Sequence, residues 1–393
     1  MTYSIGILTG TRADYGLLKL IIDKFHHSTN FNLFLYVTGL HLLSEYGNTK
    51  KIVQADYPDL IEVEFYKEKI PQTSEKYYIN ALTNGIKNMA ERFRKDSIEL
   101  LIVLGDRLEP LAAATASAIL RIPIAHIHGG DIANDAQIDG QIRHSITKMA
   151  HLHFSSNLKS QDRILQMGEE AWRVFNVGAP GLEMILKEEL LDKKVILKKL
   201  GFREDKEFIL CVFHPSIASE NKSGIYMRRI LESLIRKEFN IIIIYPNNDP
   251  GNEMIINEIK KVQENPEIRI FKNLPRKVYL SIMKYSKFMI GNSSSGIIES
   301  AIFHLPTINI GLRNLNRDCS ENVIFIGYKK SEISNAINKV TSAEFINFCK
   351  TVPNIYDGKN CSTQIFKIIS KYTDKKKKLL NKKFITRKFQ REA

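Results

Sequence analysis

The chain of 393 residues is too long for a single hydrophobic core and suits two domains of comparable size. Its formal net charge of +14 is concentrated at one end: residues 371–393 hold ten Lys or Arg and two acidic residues, which leaves +6 elsewhere. No interleaved aromatic pattern accompanies that charge, so the tail predicts a solvated helix or a frayed end rather than a nucleic-acid interface.

No apolar run approaches the roughly 20 residues that span a bilayer. The first residues lead into a short strand without the basic segment of a secretion signal. The four cysteines show no paired spacing, which argues against a disulfide framework or a zinc site. We therefore expect a cytoplasmic protein with neither a membrane nor a nucleic acid as partner.

The chain opens with an apolar strand at residues 4–9, and the segment GTRADYG at residues 10–16 joins it to a helix. This loop lacks the GxGxxG pattern, so dinucleotide binding is not indicated. Arg12 within it suits a pyrophosphate, because a guanidinium can make bidentate contacts beside the positive end of a helix. The alternative is an ordinary surface arginine.

A strand is predicted at residues 31–38, a helix at 79–93, and a mobile segment at 47–74, where periodicity is poor. The apolar run LLIVL at residues 100–104 is typical of a central parallel strand. It ends in Gly105, Asp106 and Arg107, and a helix at 109–120 follows. Asp106 therefore lies at the carboxyl end of a strand, where open α/β sheets bind their ligands.

The next strand, residues 124–128, runs into the segment HGGD at 128–131. Alternation puts His126 and His128 on one face of the strand. A metal site would need a third ligand, and none is suitably spaced, which favours a packed histidine or a polar group in a cleft. Asp139 then precedes a helix, strands follow at 152–155 and 174–177, and the glycines and proline of 178–181 predict a linker.

The second half repeats the strand-and-helix pattern. Apolar strands are predicted at 208–213, 240–245, 268–271, 288–290 and 307–310, with helices between them. The sequence therefore predicts an α/β protein with two Rossmann-like domains facing a cleft, residues 1–178 and 182–355. Residues 356–393 are expected to form C-terminal helices and a basic tail that can pack back on the first domain.

The segment GNSSSGIIE at residues 291–299 follows a buried strand, and we expect a helix to begin near Gly296. A small-residue turn before a helix exposes unpaired N–H groups that can hold phosphate, and the three serines add hydroxyl donors. Glu299, about one turn later, could accept hydrogen bonds from the hydroxyls of a ribose. An ordinary N-cap is the alternative, since Ser and Asn are favoured there.

Six short motifs, taken in order, resemble the hydrolysing UDP-N-acetylglucosamine 2-epimerases of sialic and nonulosonic acid biosynthesis. The resemblance runs from about residue 3 to residue 330, and it is carried by GTRADY (10–15), GDR (105–107), HGGD (128–131), IRHSITK (142–148), HP (214–215) and GNSSSG (291–296). It implies a glycosyltransferase-B-like fold. It also implies elimination of the nucleotide to a glycal, followed by hydration to a free mannose-configured sugar and UDP.

The resemblance also implies which residues act. Asp106 and Asp139 match catalytic carboxylates of the family, whereas several relatives carry Glu at the positions of His128 and Asp131. All four are candidate acid/base groups in an order that stays open, with helix capping or a salt bridge as the alternative for Asp131 and Asp139. The nucleotide and its sugar are expected to contact Arg12, Arg107, His214, Ser293, Ser294, Ser295, Gly296, Glu299 and Arg313.

An epimerase of this kind requires a nucleotide sugar as its partner, and the resemblance to the family also implies a homodimer. No metal or nicotinamide is needed, because Arg12, Arg313 and a helix terminus can meet the charge of the diphosphate. UDP-N-acetylglucosamine is the default substrate, and UDP-2,4-diacetamido-trideoxyglucose and GDP-N-acetylglucosamine are alternatives. A glycosyltransferase with the same fold and a non-catalytic nucleotide-sugar sensor are the rival functions.

Overall fold

The structure, a computed structural model, describes residues 2–66, 75–132, 138–216, 221–237, 239–247 and 249–387. Within these ranges the chain divides into two compact units. Unit 1 contains Ile138–Leu186 and the described parts of 1–131 and 356–393, while unit 2 is formed by Ile132 and the described part of 187–355. The chain thus leaves unit 1 after Leu186 and returns to it at Tyr356.

Unit 1 is built on a seven-stranded parallel sheet in the order β3-β2-β1-β4-β5-β6-β7. Its strands are β1 (Tyr3–Thr9), β2 (Phe31–Val37), β3 (Ile61–Glu62), β4 (Leu100–Leu104), β5 (Ile124–Ile127), β6 (Leu152–Ser155) and β7 (Val174–Asn176). Its helices are α1 (Arg12–His26), α2 (Lys50–Asp56), α3 (Glu75–Asp96), α4 (Leu108–Ile119), α5 (Asp139–Met149), α6 (Leu158–Gln166) and α7 (Pro180–Lys187). The register pairs Tyr3 with Phe31 and Ile5 with Leu100.

Unit 2 is built on a six-stranded parallel sheet in the order β10-β9-β8-β11-β12-β13. Its strands are β8 (Phe208–Val212), β9 (Asn240–Ile244), β10 (Ile268–Phe271), β11 (Met289–Gly291), β12 (Thr307–Ile310) and β13 (Val323–Ile326). Its helices are α8 (Lys193–Leu200), α9 (Ser223–Ile235), α10 (Asn252–Lys260), α11 (Arg276–Tyr285), α12 (Ser295–Ile298), α13 (Lys330–Thr341) and α14 (Ala343–Thr351). The predicted fold class, α/β with two parallel-sheet units, is confirmed.

The central strands are buried on both faces because helices cover each side of a parallel sheet. All five residues of β4 are buried. In unit 1, Ile5 and Phe25 belong to the core on one side of the sheet, and Leu101 and Met89 belong to the core on the other. This layering fixes the strand ends, and with them the polar loops that follow.

The end of the chain packs on unit 1 through α15 (Cys361–Ser370) and α16 (Lys376–Leu380). Phe366 lies 5.1 Å from Phe25 of α1, measured between ring centroids. Arg173, which is fully buried, donates to the carbonyl oxygens of Leu379 and Asn381 at 2.8 and 2.9 Å. The side chain of Arg173 thus anchors the basic C-terminal segment to unit 1 through the backbone carbonyls of that segment.

Three local expectations are wrong. The segment 47–74 contains helix α2 and strand β3, although residues 67–74 lie outside the described ranges. Residues 180–181 are not an open linker, because α7 begins at Pro180. The helix after the serine turn is only the four residues of α12, and Ser300–Phe303 form a separate 3₁₀ turn ended by His304 at φ +52°.

Strand order reverses once in each sheet, between β1 and β4 in unit 1 and between β8 and β11 in unit 2. In open α/β sheets, ligands bind outside the carboxyl ends of the strands at such reversals. The loops that follow these four strands hold Arg12, Asp106, His214 and Ser293. Among the described residues, no helix is both long and apolar enough to cross a membrane.

Candidate functional site

At the end of β1, Thr11 caps helix α1 by accepting a hydrogen bond from the backbone N–H of Asp14 at 3.1 Å. Arg12 is therefore the first residue of the helix, and its side chain is exposed. Burial raises the pKa of Asp14 to about 6, although the charge of Arg107 and the Thr11 hydroxyl oppose the shift. A cation and a titratable carboxyl thus share the first turn of α1.

At the end of β4, Gly105 adopts φ +75° and turns the chain toward Asp106 and Arg107. The Nε of Arg107 lies 3.3 Å from the Oε2 of Glu109, whose side chain is 1% exposed. The stem of Glu109 lies under Gly10 and Gly39, where a Cβ would come within 3.3 and 2.4 Å of it. Arg107 is consequently held against a buried carboxylate, and its side chain stays 39% exposed.

At the end of β5, the carboxylate of Asp131 is fixed from several sides. Its Oδ1 accepts hydrogen bonds from Ser156 at 2.5 Å and from Ser160 at 2.7 Å, and its Oδ2 accepts one from the Nδ1 of His128 at 2.8 Å. Burial alone would raise its pKa, but hydrogen bonds from His128 and Ser156 and the positive charge of Arg143 hold the pKa of Asp131 well below its usual range. This carboxylate is a fixed anion.

Arg143 on α5 connects the two strand ends. Its Nη2 donates to the Oδ2 of Asp106, and its Nη1 lies 3.5 Å from the Oδ2 of Asp131. Asp139 is four residues earlier and therefore on the same face of α5. The structure thus brings Asp106, His128 and Asp131 together around one guanidinium, with Asp139 at the start of the same helix.

His126 diverges from His128 and is a packed side chain. Its Nε2 lies 2.8 Å from the carbonyl oxygen of Gly105 and its Nδ1 lies 3.2 Å from the hydroxyl of Thr147. Burial lowers the pKa of His126 to about 3, so the ring is neutral. Within the described ranges, no group of three or more His, Cys, Asp or Glu side chains could hold a metal ion.

In unit 2, His214 and Asn292 join the ends of β8 and β11. The backbone N–H of His214 donates to Asn292 Oδ1 at 2.7 Å, and Asn292 Nδ2 donates to the His214 carbonyl at 2.9 Å. The Nδ1 of His214 accepts the backbone N–H of Asn247 at 3.0 Å, so its Nε2 carries the proton and can donate. Burial, reinforced by the charge of Arg313, lowers the pKa of His214 to about 4.

The serine turn is organised by a tyrosine. The hydroxyl of Ser295 lies 2.5 Å from that of Tyr279 on α11 and 3.0 Å from that of Ser293, while Ser294 is exposed. Because α12 has only four residues, its dipole is small, and hydroxyl donors are the stronger feature of this turn. Gly296 packs closely, since a Cβ there would lie 3.0 Å from Thr307.

Three ionisable side chains, Glu299, Arg276 and Arg313, flank this turn. Burial raises the pKa of Glu299, and Arg276, whose Nη2 is 3.9 Å from the Glu299 Oε1, opposes that shift. Arg313 donates through Nη1 to the carbonyl of Asn292 at 3.2 Å, which places it beside His214 and the serines. The turn therefore offers neutral donors and cations, the combination that suits phosphate.

Sequence reasoning assigned no role to several residues that organise these loops. Arg143 was noticed only as part of a motif, although its spacing from Asp139 put both on one helix face. Tyr279 gave no signal and Asn292 was quoted only as part of the GNSSSG motif, because their contacts join segments distant in the chain. Ser156 and Ser160 follow β6, and only the register of β5 beside β6 brings them to Asp131.

Two open parallel sheets, each with charged and polar loops where its strand order reverses, define an α/β protein of the class that binds ligands at its strand ends. Residues 23–370 match the UDP-N-acetylglucosamine 2-epimerase family, and the chain belongs to that family, as its motifs predict.

Two curated relatives and one solved structure illustrate the match. The chain is 32% identical to the UDP-N,N'-diacetylbacillosamine 2-epimerase (hydrolyzing) of Legionella pneumophila, over 88% of the chain and 91% of the relative. It is 34% identical to the GDP/UDP-N,N'-diacetylbacillosamine 2-epimerase (hydrolyzing) of Campylobacter jejuni, over 87% and 88%. The Neisseria meningitidis UDP-GlcNAc 2-epimerase structure bound to UDP-GlcNAc superposes with a TM-score of 0.77 at 15% identity, covering 94% of this chain and 100% of that one.

Proposed function

We propose that the chain is a hydrolysing 2-epimerase that converts UDP-N-acetylglucosamine and water to free N-acetylmannosamine and UDP, in sialic acid biosynthesis. The observation that carries this proposal is the group of acid/base side chains, Asp106, His128 and Asp131, around Arg143 at one sheet reversal. A glycosyltransferase that passes its sugar to an acceptor has no need of a base for the hydrogen on C2.

In the first step a base removes the C2 proton, the C1–oxygen bond breaks, and the bonding pair leaves with UDP. A glycal with a C1–C2 double bond remains. In the second step water adds its hydroxyl to C1 and gives its other proton to a base, and an acid delivers a proton to C2 from the other face. Two acid/base groups are therefore required, and we assign them to Asp106, Asp139, His128 and Asp131 as a set.

The nucleotide is proposed to bind at the reversal of the unit 2 sheet. His214 offers an N–H from Nε2, the serine turn offers hydroxyls from Ser293 and Ser295, and Arg313 supplies positive charge. These groups stabilise the charge that grows on the departing phosphate. Ser294 and Glu299 border this turn. At the sheet reversal of unit 1, Arg12 and Arg107 are the predicted cationic contacts.

A second substrate is favoured by the relatives. Two of them are named for N,N'-diacetylbacillosamine, a sugar with an acetamido group at C4 and no hydroxyl at C6. The chain also has His128 where several family members carry Glu. The same two-step reaction on UDP-2,4-diacetamido-trideoxyglucose is therefore the alternative, and GDP-N-acetylglucosamine is the third substrate to test.

The test incubates the protein with each of the three nucleotide sugars in deuterated water and follows products by proton NMR. We expect a free mannose-configured sugar that carries deuterium at C2, together with the nucleoside diphosphate, without any acceptor. A mannose-configured sugar still attached to its nucleotide would mean that the enzyme does not hydrolyse. Tight binding without a product would support the sensor, and sugar release only with an acceptor would support the glycosyltransferase.

Asp106→Asn is expected to remove turnover while the nucleotide still binds. Asp205→Asn is the matched control, since Asp205 is 62% exposed and its side chain pairs with Arg203 on the surface. Chelator treatment should leave the rate unchanged, because the proposed chemistry uses protein cations at the phosphates. A loss of activity that added Mg²⁺ restores would contradict this part of the proposal.

The cytoplasmic location and the homodimer expected from the sequence remain predictions. Size-exclusion chromatography with light scattering at micromolar concentration would establish the number of subunits.

A further inference from the structure

We propose that His128 and Asp131 form a dyad in which Asp131 is a positioning residue and the Nε2 of His128 removes or delivers the proton at C2. The inference rests on the proposed function, which leaves the four candidate groups undivided. It assigns separate roles to two of them and adds Ser156 and Ser160 as anchors. Four observations support it.

The first observation is that the acceptor sites of Asp131 are already used. A carboxylate offers about four lone-pair sites. Ser156 and Ser160 occupy two on Oδ1, at 2.5 and 2.7 Å, and His128 occupies one on Oδ2 at 2.8 Å. The Nη1 of Arg143, at 3.5 Å from Oδ2, faces the fourth. Asp131 could take a proton from a sugar only after losing one of these partners.

The second observation is the state of the His128 ring. Because Nδ1 lies 2.8 Å from a carboxylate oxygen that only accepts, the proton of the neutral ring is on Nδ1. The lone pair is then on Nε2. Among the described residues nothing hydrogen-bonds to Nε2, and the side chain keeps 14% exposure. A ring fixed at one nitrogen and open at the other is the arrangement of a general base.

The third observation is backbone strain at the same residue. His128 has φ +64°, in the left-handed region that costs a non-glycine residue on the order of 1 kcal/mol. The position is held because its N–H donates to the carbonyl of Phe154 at 3.0 Å, and because Gly130 at φ +76° lets the chain turn back toward Asp131. Strain of this kind at the end of a buried strand is typical of functional sites.

The fourth observation separates His128 from Asp106. The carboxylate of Asp106 is paired directly with Arg143, so a proton transferred to it would break an ion pair. His128 instead contacts a carboxylate that stabilises the protonated ring. The charged groups that face His128 are therefore Asp131 and Arg143, with Asp106 beyond the guanidinium. Asp139 remains the candidate for the acid/base work on the other face of the sugar, and Asp106 is held in place by its ion pair with Arg143.

The backbone at this position offers an unusual variant for the test. His128→Gly removes the ring at a φ that glycine adopts without strain, so the relief of strain offsets part of the cost of losing the hydrogen bond to Asp131 and we expect the variant to fold. Its turnover and its C2 deuterium exchange are expected to fall by about 10²–10⁴-fold, with UDP affinity within threefold. Added imidazole should restore part of both rates. His27→Gln, an exposed histidine, is the control.

Asp131→Asn keeps the shape of the side chain but removes the charge. We expect kcat to fall by roughly 10²-fold while KM changes little, since the ring loses its fixed orientation. Nitrogen-15 spectra of the histidine rings provide a readout that does not depend on turnover. Besides the rings of His27 and His304, whose Nδ1 atoms face backbone carbonyl oxygens, the wild type should show a further ring with its proton on Nδ1. The signal of that ring should disappear in His128→Gly, and in Asp131→Asn its proton should move to Nε2 or exchange faster with solvent.

The outcomes separate the two proposals. If the wild type releases free sugar and His128→Gly retains its C2 exchange, the dyad is overturned and the proposed function stands. If the wild type acts on none of the nucleotide sugars, the proposed function and the base role fail together. The pairing itself is then decided by the spectra, because a His128 ring with its proton on Nε2 would contradict it.

Discussion

Arg143 of helix α5 donates to the carboxylate of Asp106 at the end of strand β4, which ties the helix to the reversal of the sheet. The same guanidinium faces Asp131, so a single cation separates two carboxylates. Arg143→Gln would leave those carboxylates to repel each other in a partly buried place. We expect about 3 kcal/mol less stability in urea unfolding and a loss of turnover of at least 10²-fold.

Arg143→Lys separates the effect of charge from that of geometry. A lysine restores the positive charge but lacks the planar guanidinium, whose two terminal nitrogens reach the two carboxylates. It should recover part of the stability and little of the turnover. Arg203→Gln is the control, since its pair with Asp205 is 85% and 62% exposed and should contribute less than about 1 kcal/mol. Equal losses for Arg143→Gln and Arg203→Gln would show that Arg143 does not organise the site.

Two glycines near Asp131 should respond in opposite ways to alanine. A Cβ at Gly130 would lie 2.2 Å from the carbonyl oxygen of Ser160, and its φ of +76° is strained for alanine. Ser160 also donates to Asp131, so the forced movement displaces that carboxylate. We expect Gly130→Ala to cost more than about 2 kcal/mol and to abolish turnover, measured by thermal unfolding and by sugar release.

Gly140→Ala is the matched control for Gly130→Ala. Gly140 lies in the first turn of α5, and a Cβ there meets nothing within 4 Å. Alanine in a helix is better than glycine by about 0.5–1 kcal/mol, so this variant should be equally or more stable. A similar loss in both variants would place the sensitivity in the loop as a whole rather than at the Ser160 contact.

The strands that precede these loops could be predicted because their local sequence, an uninterrupted apolar run, is itself typical of a buried parallel strand. LLIVL at β4 and the isoleucine-rich β9 are buried, uninterrupted apolar runs, and both were located within a residue of their ends. The two-residue β3 was missed because so short a strand has no periodicity. The helix from Gly296 is shorter than predicted, since α12 ends at Ile298 and the chain continues as a 3₁₀ turn up to His304, a change that the apolar spacing does not indicate.

The candidate site was predicted only in part, for the same physical reason. Residues that follow strands, such as Asp106 and His214, could be found because parallel strands end at one edge of the sheet. The sequence did not distinguish His126 from His128, yet His126 is enclosed by Gly105 and Thr147 while His128, one residue beyond β5, reaches Asp131. That difference depends on tertiary contacts, which no local pattern encodes.

The ring of His214 is expected to stay neutral across the pH range in which the enzyme can be assayed. Burial and the charge of Arg313 lower its pKa to about 4, and its Nδ1 accepts a backbone N–H. Its contribution to UDP binding should therefore not change between pH 8 and 5.5. The ratio of UDP affinities of the wild type and His214→Gln, measured by calorimetry, cancels the ionisation of UDP itself. A ratio that rises as the pH falls would indicate a charged ring.

The same shift has a consequence for stability. In the unfolded chain this histidine takes up a proton near pH 6.5, whereas in the folded protein it does so only near pH 4. The unfolded state binds more protons in that window, so the stability contributed by His214 falls as the pH decreases from 6.5 to 4. The expected slope is at most about 1.4 kcal/mol per pH unit. His214→Gln should lose this slope, and parallel pH profiles of the two proteins would contradict the assignment.

The last prediction concerns the anchor of the C-terminal segment. Lys382 donates through Nζ to the carbonyl oxygens of Lys148 and Ala150, both at 2.7 Å, and lies 2.8 Å from the fully buried carboxylate of Glu169. These carbonyls end helix α5, so the segment supports the helix that carries Arg143. Lys382→Met leaves them without their donor, and we expect a loss of about 1–3 kcal/mol.

The neighbouring Lys383 supplies the matched control, because its side chain is exposed and its backbone N–H alone contacts Glu170. Lys383→Met should stay within about 0.5 kcal/mol of the wild type. Trp172, the single tryptophan, reports on the anchor, since its ring stacks on Tyr372 at 5.6 Å and lies 4.6 Å from the Nζ of Lys378. The midpoint of the unfolding transition followed by Trp172 fluorescence should move to a lower urea concentration in Lys382→Met and not in Lys383→Met. Equal shifts in both variants would mean that general tail charge, rather than the Lys382 contacts, holds the segment in place.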